Sequence, residues 1–311
     1  MRKEVFTFKG QNNESMHAVV WLPEKEPEMI LQVVHGMTEH MGRYERFAQT
    51  MCDAGIGVAG FDLRGHGHHD LTSSCASFKE AGWDWTIKEI HQFHCDLKTR
   101  FSDAKHILLG FSLGSFLVRD YLSAVSSHDF AGTVIMGTGQ QPGWILSLIM
   151  KLVKNETKKA GFDSTNDMIR NLSFGTYNKK FAPNRTSADW LCSDTAQLDG
   201  YLNDDLCKRD ISAGLFWQLL DAMKRTGNQK TYQKWNKQLP VLLVSGSDDP
   251  VGDQGKGVLN VLKSMKKAGF NHIECKLYPK ARHDVLYEDE LKVTEKVSND
   301  IKEWMLGLVK K

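Results

Sequence analysis

No apolar run in this 311-residue chain approaches the roughly 20 residues that a membrane-spanning helix needs. The opening stretch, Met1 to Lys9, also lacks the apolar core of a signal peptide, so a cytoplasmic protein is expected. Cysteine is sparse and unpatterned. Cys52, Cys75, Cys95, Cys192, Cys207 and Cys275 show no paired spacing, which reads as reduced thiols rather than a disulfide framework. Neither sign of charge dominates: 40 Lys and Arg face 38 Asp and Glu, and a net charge of +2 provides no field for nucleic acid as a partner. Internal repeats and low-complexity tracts are missing too. With 41% hydrophobic and 25% charged residues, the composition is that of an ordinary soluble globular chain long enough to bury a full core.

What is present centres on Ile107-Leu108-Leu109-Gly110-Phe111-Ser112-Leu113-Gly114-Ser115. An apolar run enters a turn and a helical pattern (Phe116, Leu117, Tyr121, Leu122) leaves it. Glycines two residues either side of Ser112 let the backbone fold tightly enough for the Ser Oγ to stand clear, as a nucleophile must. The Leu113 N–H then sits at a helix head, where unpaired donors and the helix dipole favour a developing oxyanion.

Short apolar runs alternate with helical patterns through the first half, predicting a mostly parallel sheet with crossover helices. Residues 3–9 and 16–23 read as an antiparallel hairpin at the sheet edge. Strands follow at 29–35, 56–62, 107–109 and 131–136, with helices at 43–54 and 83–101. From residue 140 to 238 the alternation stops. A segment that long, placed after a strand, is a subdomain rather than a loop. It holds 15 Lys and Arg against 10 Asp and Glu, so the basic charge gathers there. Beyond it come a strand from residue 239, a helix at 256–268, a strand at 273–278 and a closing helix at 291–309.

In open parallel sheets the reacting groups collect beyond the carboxyl ends of the strands. Four loops there offer His35-Gly36-Met37, Ser112-Leu113, Asp248-Asp249 and His283. A nucleophilic serine needs a base and an acid that fixes the imidazole tautomer, in the chain order Ser, acid, His. Of the twelve histidines, only His272 and His283 follow the acids. His272 opens the last strand at the wrong edge, which leaves His283. Asp249, deeper in the turn and followed by Pro250, is preferred over Asp248 as the acid. The Met37 N–H is the expected second oxyanion donor beside that of Leu113.

Taken together, His35-Gly36-Met37-Thr38-Glu39-His40-Met41-Gly42-Arg43-Tyr44, Asp62-Leu63-Arg64-Gly65-His66-Gly67, Gly110-Phe111-Ser112-Leu113-Gly114, Gly246-Ser247-Asp248-Asp249 and Arg282-His283 resemble the monoacylglycerol lipase and lysophospholipase branch of the α/β-hydrolases. The likeness spans nearly the whole chain, and Ser187-Ala188-Asp189-Trp190-Leu191-Cys192-Ser193-Asp194 resembles bacterial members. It implies an α/β-hydrolase fold: an eight-stranded core, residues 1–139 and 239–311, with a helical cap, 140–238, inserted after the sixth strand. It also implies hydrolysis of esters with one acyl chain by Ser112, Asp249 and His283, with Met37 and Leu113 as oxyanion donors and no cofactor or metal. The departure is His68-His69-Asp70 after Arg-Gly-His-Gly, where the family usually has a Ser within two residues.

His66-Gly67-His68-His69-Asp70 lacks the final His of the binuclear-metal signature His-x-His-x-Asp-His, having Leu71 instead. His91 and His94 read as a packed or solvated pair. The run 144–154 is too short to span a bilayer and reads as a cap helix over an acyl pocket, partly exposed and able to touch lipid aggregates transiently. Trp190, Phe216 and Trp217 read mainly as cap core. The same scaffold also serves aminopeptidases, thioesterases and non-catalytic binding proteins. An aminopeptidase needs an acidic pair for the substrate amine, against which the basic balance of 140–238 argues, and a binding protein would usually have lost a member of the triad.

Overall fold

Continuous apolar strands can be buried on both faces only between two layers of helix. The computed structural model, which describes residues 1–125 and 127–309, has that architecture. Its strands are β1 (Arg2–Lys9), β2 (Ser15–Leu22), β3 (Met29–Val34), β4 (Ile56–Phe61), β5 (Cys75–Ala76), β6 (Lys105–Phe111), β7 (Gly132–Met136), β8 (Asp210–Ile211), β9 (Val241–Gly246) and β10 (Ile273–Tyr278). Eight of them form one sheet in the order β1-β2-β4-β3-β6-β7-β9-β10. The first two pair antiparallel, as the polar turn between them predicted, and β2 pairs antiparallel with β4 as well. All other pairings in this sheet are parallel.

The helices are α1 (Glu45–Cys52), α2 (Gly82–Arg100), α3 (Leu113–Ala124), α4 (Gly143–Ala160), α5 (Asp167–Arg170), α6 (Thr195–Asn203), α7 (Ala213–Thr226), α8 (Gln229–Gln233), α9 (Lys256–Lys267) and α10 (Val293–Gly307). On one face of the sheet Leu108, Ile135 and Leu243 pack with Phe93, Phe116 and Leu117. On the other, Leu31, Leu109 and Leu242 pack with Phe47, Met51 and Ile301. The helix expected over 43–54 begins later, because the His40 side chain accepts the Gly42 N–H at 3.1 Å and winds Met41–Tyr44 into a 3-10 turn first.

Between β7 and β9 the chain forms α4 to α8 and the two-residue β8, which pairs with β5. Sequence periodicity could not reveal a pairing so short. Helix α4 packs along α7, and α7 along α3. Buried Arg119 on α3 bonds Thr138 Oγ1 at 3.0 Å and the Gly139 carbonyl at 3.1 Å, where the segment leaves the sheet. It also bonds the Thr226 carbonyl at 3.0 Å and the Tyr232 hydroxyl at 2.5 Å, near where the segment returns. One guanidinium thus ties both ends of the insertion to the sheet layer.

Candidate active site

Ser112 joins β6 to α3 with φ 51° and ψ −117°, a region that non-glycine residues occupy only under strain. Its N–H still continues the sheet ladder to the Met136 carbonyl at 3.0 Å. The flanking glycines are a steric necessity. A Cβ on Gly110 would lie 2.4 Å from the Gly114 oxygen, and one on Gly114 would lie 1.9 Å from the Val34 oxygen. The bend therefore seats the head of α3 directly on the end of β3.

His283, in the loop after β10, places Nε2 2.8 Å from Ser112 Oγ and Nδ1 2.9 Å from Asp249 Oδ1. Asp249 is fully buried, accepts the Val251 N–H at 2.8 Å on Oδ1 and accepts Ser245 Oγ at 3.0 Å on Oδ2, so its carboxylate has one orientation. Asp248 accepts Ser247 Oγ at 2.9 Å and its N–H bonds the Ala281 carbonyl, so of the two it is Asp249 that reaches the imidazole. Burial alone would lower the His283 pKa, but the Asp249 carboxylate, with Asp284 and Glu39 beyond it, holds it above the ordinary value. His272 lies just before β10, where its carbonyl accepts the Val241 N–H, at the opposite edge.

Leu113 opens α3, so its N–H is one of the donors a helix leaves unpaired. Met37 follows β3 and, with Ser112 and Leu113, lines a common cavity. The loop that carries it is held at both ends. His35 Nε2 accepts the Leu63 N–H at 2.9 Å, which fixes the tautomer in which Nδ1–H donates to the Gly36 carbonyl at 2.7 Å. Burial lowers the His35 pKa. The Gly36 N–H donates to Glu39 Oε1.

Three features escaped the sequence reading. The His283 ring contacts two aromatics: Phe111, one residue before the serine, at 4.9 Å between centroids, and Trp190 from the insertion at 5.2 Å. Trp190, expected chiefly as cap core, thus belongs to the site. Phe216 lines the same cavity, and Trp217 does not. Second, Arg43 bonds Asp284 Oδ2 at 2.5 Å and lies 3.2 Å from Glu39 Oε2. Burial still pushes Asp284 up to about 7, against the pull of Arg43. Third, the Ser187 to Asp194 block docks on the histidine loop. Arg282 bonds the Asp189 and Cys192 carbonyls, the Asp284 N–H bonds the Leu191 carbonyl at 2.7 Å, and Glu288 accepts the Ser193 N–H at 3.0 Å. Asp284 directly follows His283 in sequence, a signal that could have been used.

A cavity of about 180 Å³ opens from Ser112 between α4 and α7, lined by apolar groups such as Phe116, Ile145, Ile149, Leu172, Phe216 and Leu219. A second, of about 310 Å³, mixes polar groups (Thr38, Asn171, Lys208, Arg209) with apolar ones such as Leu202 and Ile211. Phe174 and Trp190 line both, and also a neck of about 30 Å³ that reaches Ser112 and His283.

Sheet order, elbow and insertion define an α/β-hydrolase. Residues 25–290 match the family described as serine aminopeptidase, S33, and the chain belongs to it. It is 24% identical over 312 residues to the monoacylglycerol lipase of Mycolicibacterium smegmatis, covering 97% of this chain and 96% of that one. It is 25% identical over 252 residues to an uncharacterized abhydrolase domain-containing protein of Dictyostelium discoideum, of which it spans 24%. Among solved structures, a thermostable carboxyl esterase from Bacillus coagulans superposes with a TM-score of 0.90 at 23% identity, over 99% of both chains.

Proposed function

We propose that this chain hydrolyses carboxylic esters bearing one acyl chain, with Ser112 as nucleophile, His283 as base and Asp249 as the orienting acid. The observation that carries the reading is the continuous relay Asp249, His283, Ser112, at 2.9 and 2.8 Å, opening onto an apolar cavity. Ser112 Oγ attacks the ester carbonyl carbon as His283 Nε2 takes its proton, and the resulting oxyanion faces the N–H groups of Met37 and Leu113. His283 then gives that proton to the leaving alcohol. A water, deprotonated by the same nitrogen, attacks the acyl-enzyme and releases the fatty acid. Asp249 holds the Nδ1–H tautomer throughout.

The acyl chain occupies the cavity between α4 and α7, and the alcohol the second one, where Thr38, Asn171, Lys208 and Arg209 offer polar groups. Glycerol or phosphoglycerol suits such a lining, so monoacylglycerols and lysophospholipids are the substrates of choice. The monoacylglycerol lipase among the relatives supports this reading. The family description favours a second one, cleavage of an N-terminal residue from a peptide. Such an enzyme needs free carboxylates for the substrate ammonium, and the two closest to hand, Glu39 and Asp284, are both engaged by Arg43.

In this reading residues 140–238 act as a cap on a core made of 1–139 and 239–311. Trp144, Leu148 and Leu152 share one exposed face of α4 at 68%, 60% and 53%, a surface for brief contact with lipid aggregates. Among the described residues no helix is long and apolar enough to cross a membrane. The six unpaired cysteines suit the cytoplasm. Kinetics on short and long acyl esters, monoacylglycerol, lysophospholipid and an aminoacyl anilide test the proposal. Preference for a glycerol-type monoester supports it, and preference for the anilide replaces it with the peptidase reading.

A further inference from the structure

His68, one of the histidines that depart from the family pattern after Gly67, meets a residue from outside its own motif. His68 folds back on Asp62, at the end of β4, and meets there His17 from the middle of β2. His68 Nδ1 lies 2.9 Å and His17 Nδ1 3.2 Å from the same oxygen, Asp62 Oδ2. The two imidazoles pack with ring centroids 4.3 Å apart. All three potential ligand atoms fall within 4.8 Å of one another.

We infer that His17, Asp62 and His68 form a binding site for one zinc ion, with water completing its coordination. Ligands held at about 2.0 to 2.1 Å by a tetrahedral ion lie about 3.3 Å apart, and the two separations from Asp62 Oδ2 are 2.9 and 3.2 Å. Without an ion the hydrogen bonding does not close. Asp62 Oδ2 already accepts the N–H of His68 and its Nδ1–H, both at 2.9 Å, which uses both lone pairs. His17 Nδ1, also buried, faces that oxygen at 3.2 Å but is too poorly aligned to make a third good hydrogen bond to it. One cation would take a lone pair from each imidazole and one from the carboxylate, leaving no orphan.

The surroundings are built to the same end. Asp62 is fully buried, and its other oxygen accepts the Met41 N–H at 2.8 Å, which sets the carboxylate plane as a metal ligand requires. Gly67, at φ +50°, lets the loop close over it: a Cβ there would lie 2.4 Å from Asp62 Oδ2. The His68 side chain is 42% exposed, so an ion can enter from solvent. Two imidazoles and one carboxylate are the donor set of borderline divalent ions rather than of magnesium or calcium. A neighbouring cluster, His40, Asp204 and Cys207, lacks this vacancy in its bonding. His40 Nδ1 accepts the Gly42 N–H, leaving Nε2–H to donate to Asp204 at 2.8 Å. The ion would join β2, β4 and the loop 65–69 and has no part in the chemistry proposed at Ser112. The proposed ion goes beyond the sequence-based expectation of no metal, because His17 is remote in sequence from Asp62 and His68.

The test is calorimetric titration of zinc chloride into the full chain after chelator treatment, with His17→Ala, His68→Ala and Cys207→Ala alongside. Wild type and Cys207→Ala are expected to bind one equivalent and to melt at higher temperature as zinc is added. Each histidine variant should lose more than the roughly ten- to hundredfold in affinity that removal of an outer partner costs. Cobalt(II) in the same site should show tetrahedral visible bands without thiolate charge transfer. The inference is overturned if wild type binds no zinc, if both histidine variants bind it as tightly as wild type, or if Cys207→Ala abolishes binding. Melting curves of the metal-free variants establish that each is folded.

Discussion

Trp190 lies with its ring centroid 5.2 Å from that of His283, the two planes tilted by 36°. The insertion therefore reaches the Ser112 end of the sheet and packs on the imidazole itself. Trp190→Ala should lower stability by about 3 kcal/mol or more, as large-to-small core changes do. It should also raise KM for long-chain esters, because Trp190 lines both cavities. Trp190→Phe, which retains a ring, should recover most of both. Melting temperature and a chain-length series check this, and a Trp190→Ala variant indistinguishable from wild type would show that the contact is incidental.

In the proposed function Ser112 is nucleophile as well as a strained residue, and two substitutions separate these roles. Both Ser112→Ala and Ser112→Gly should lose on the order of a millionfold in kcat, as removal of a triad nucleophile does elsewhere. Only glycine relieves the strained φ of 51°. After the opposing chain entropy is deducted, the glycine variant should be the more stable by about 1 kcal/mol. Chemical denaturation of the pair reads this difference directly. Near-wild-type turnover in either variant contradicts the nucleophile assignment.

Two aspartates compete for the acid role in sequence, and in the structure only Asp249 touches the imidazole. Asp249→Asn should cost up to about ten-thousandfold in kcat, because the amide favours the wrong histidine tautomer. Asp248→Asn should cost far less. Reversal of that order would mean that the carboxylate hydrogen-bonded to His283 is not the one that serves the reaction.

The pH dependence follows from the charges around His283. A general base works only when unprotonated, and against burial the Asp249 carboxylate, by charge and hydrogen bond, holds this imidazole above its ordinary 6.5. Activity should therefore fall, as pH drops, through a value above 6.5. Removing the Asp249 charge should move the residual acid limb downward. A pH profile of kcat/KM measures both, and a wild-type limb at or below the ordinary histidine value would show that burial dominates.

The exposed ridge on α4 offers a test of lipid contact. Replacing Trp144, Leu148 and Leu152 together by serine should reduce sedimentation with phospholipid vesicles and turnover of aggregated monoacylglycerol, with hydrolysis of a soluble short-chain ester unchanged. Equal effects on both substrates would assign the ridge to cap stability instead.

The sequence by itself determined the alternation of strands and helices, the glycine-bounded bend at Ser112 and the interruption from 140 to 238, because each is a short-range pattern of periodicity or turn chemistry. Chain order and strand ends were enough to single out His283 and to favour Asp249. Tertiary structure alone decided which groups surround them. Trp190 on His283, Arg43 between Glu39 and Asp284, and His17 facing His68 across Asp62 join residues from different layers and distant segments. No local period encodes such contacts. They arise only when the sheet closes and the insertion folds back over it, where burial makes each unpaired polar group costly and so selects the partner that satisfies it.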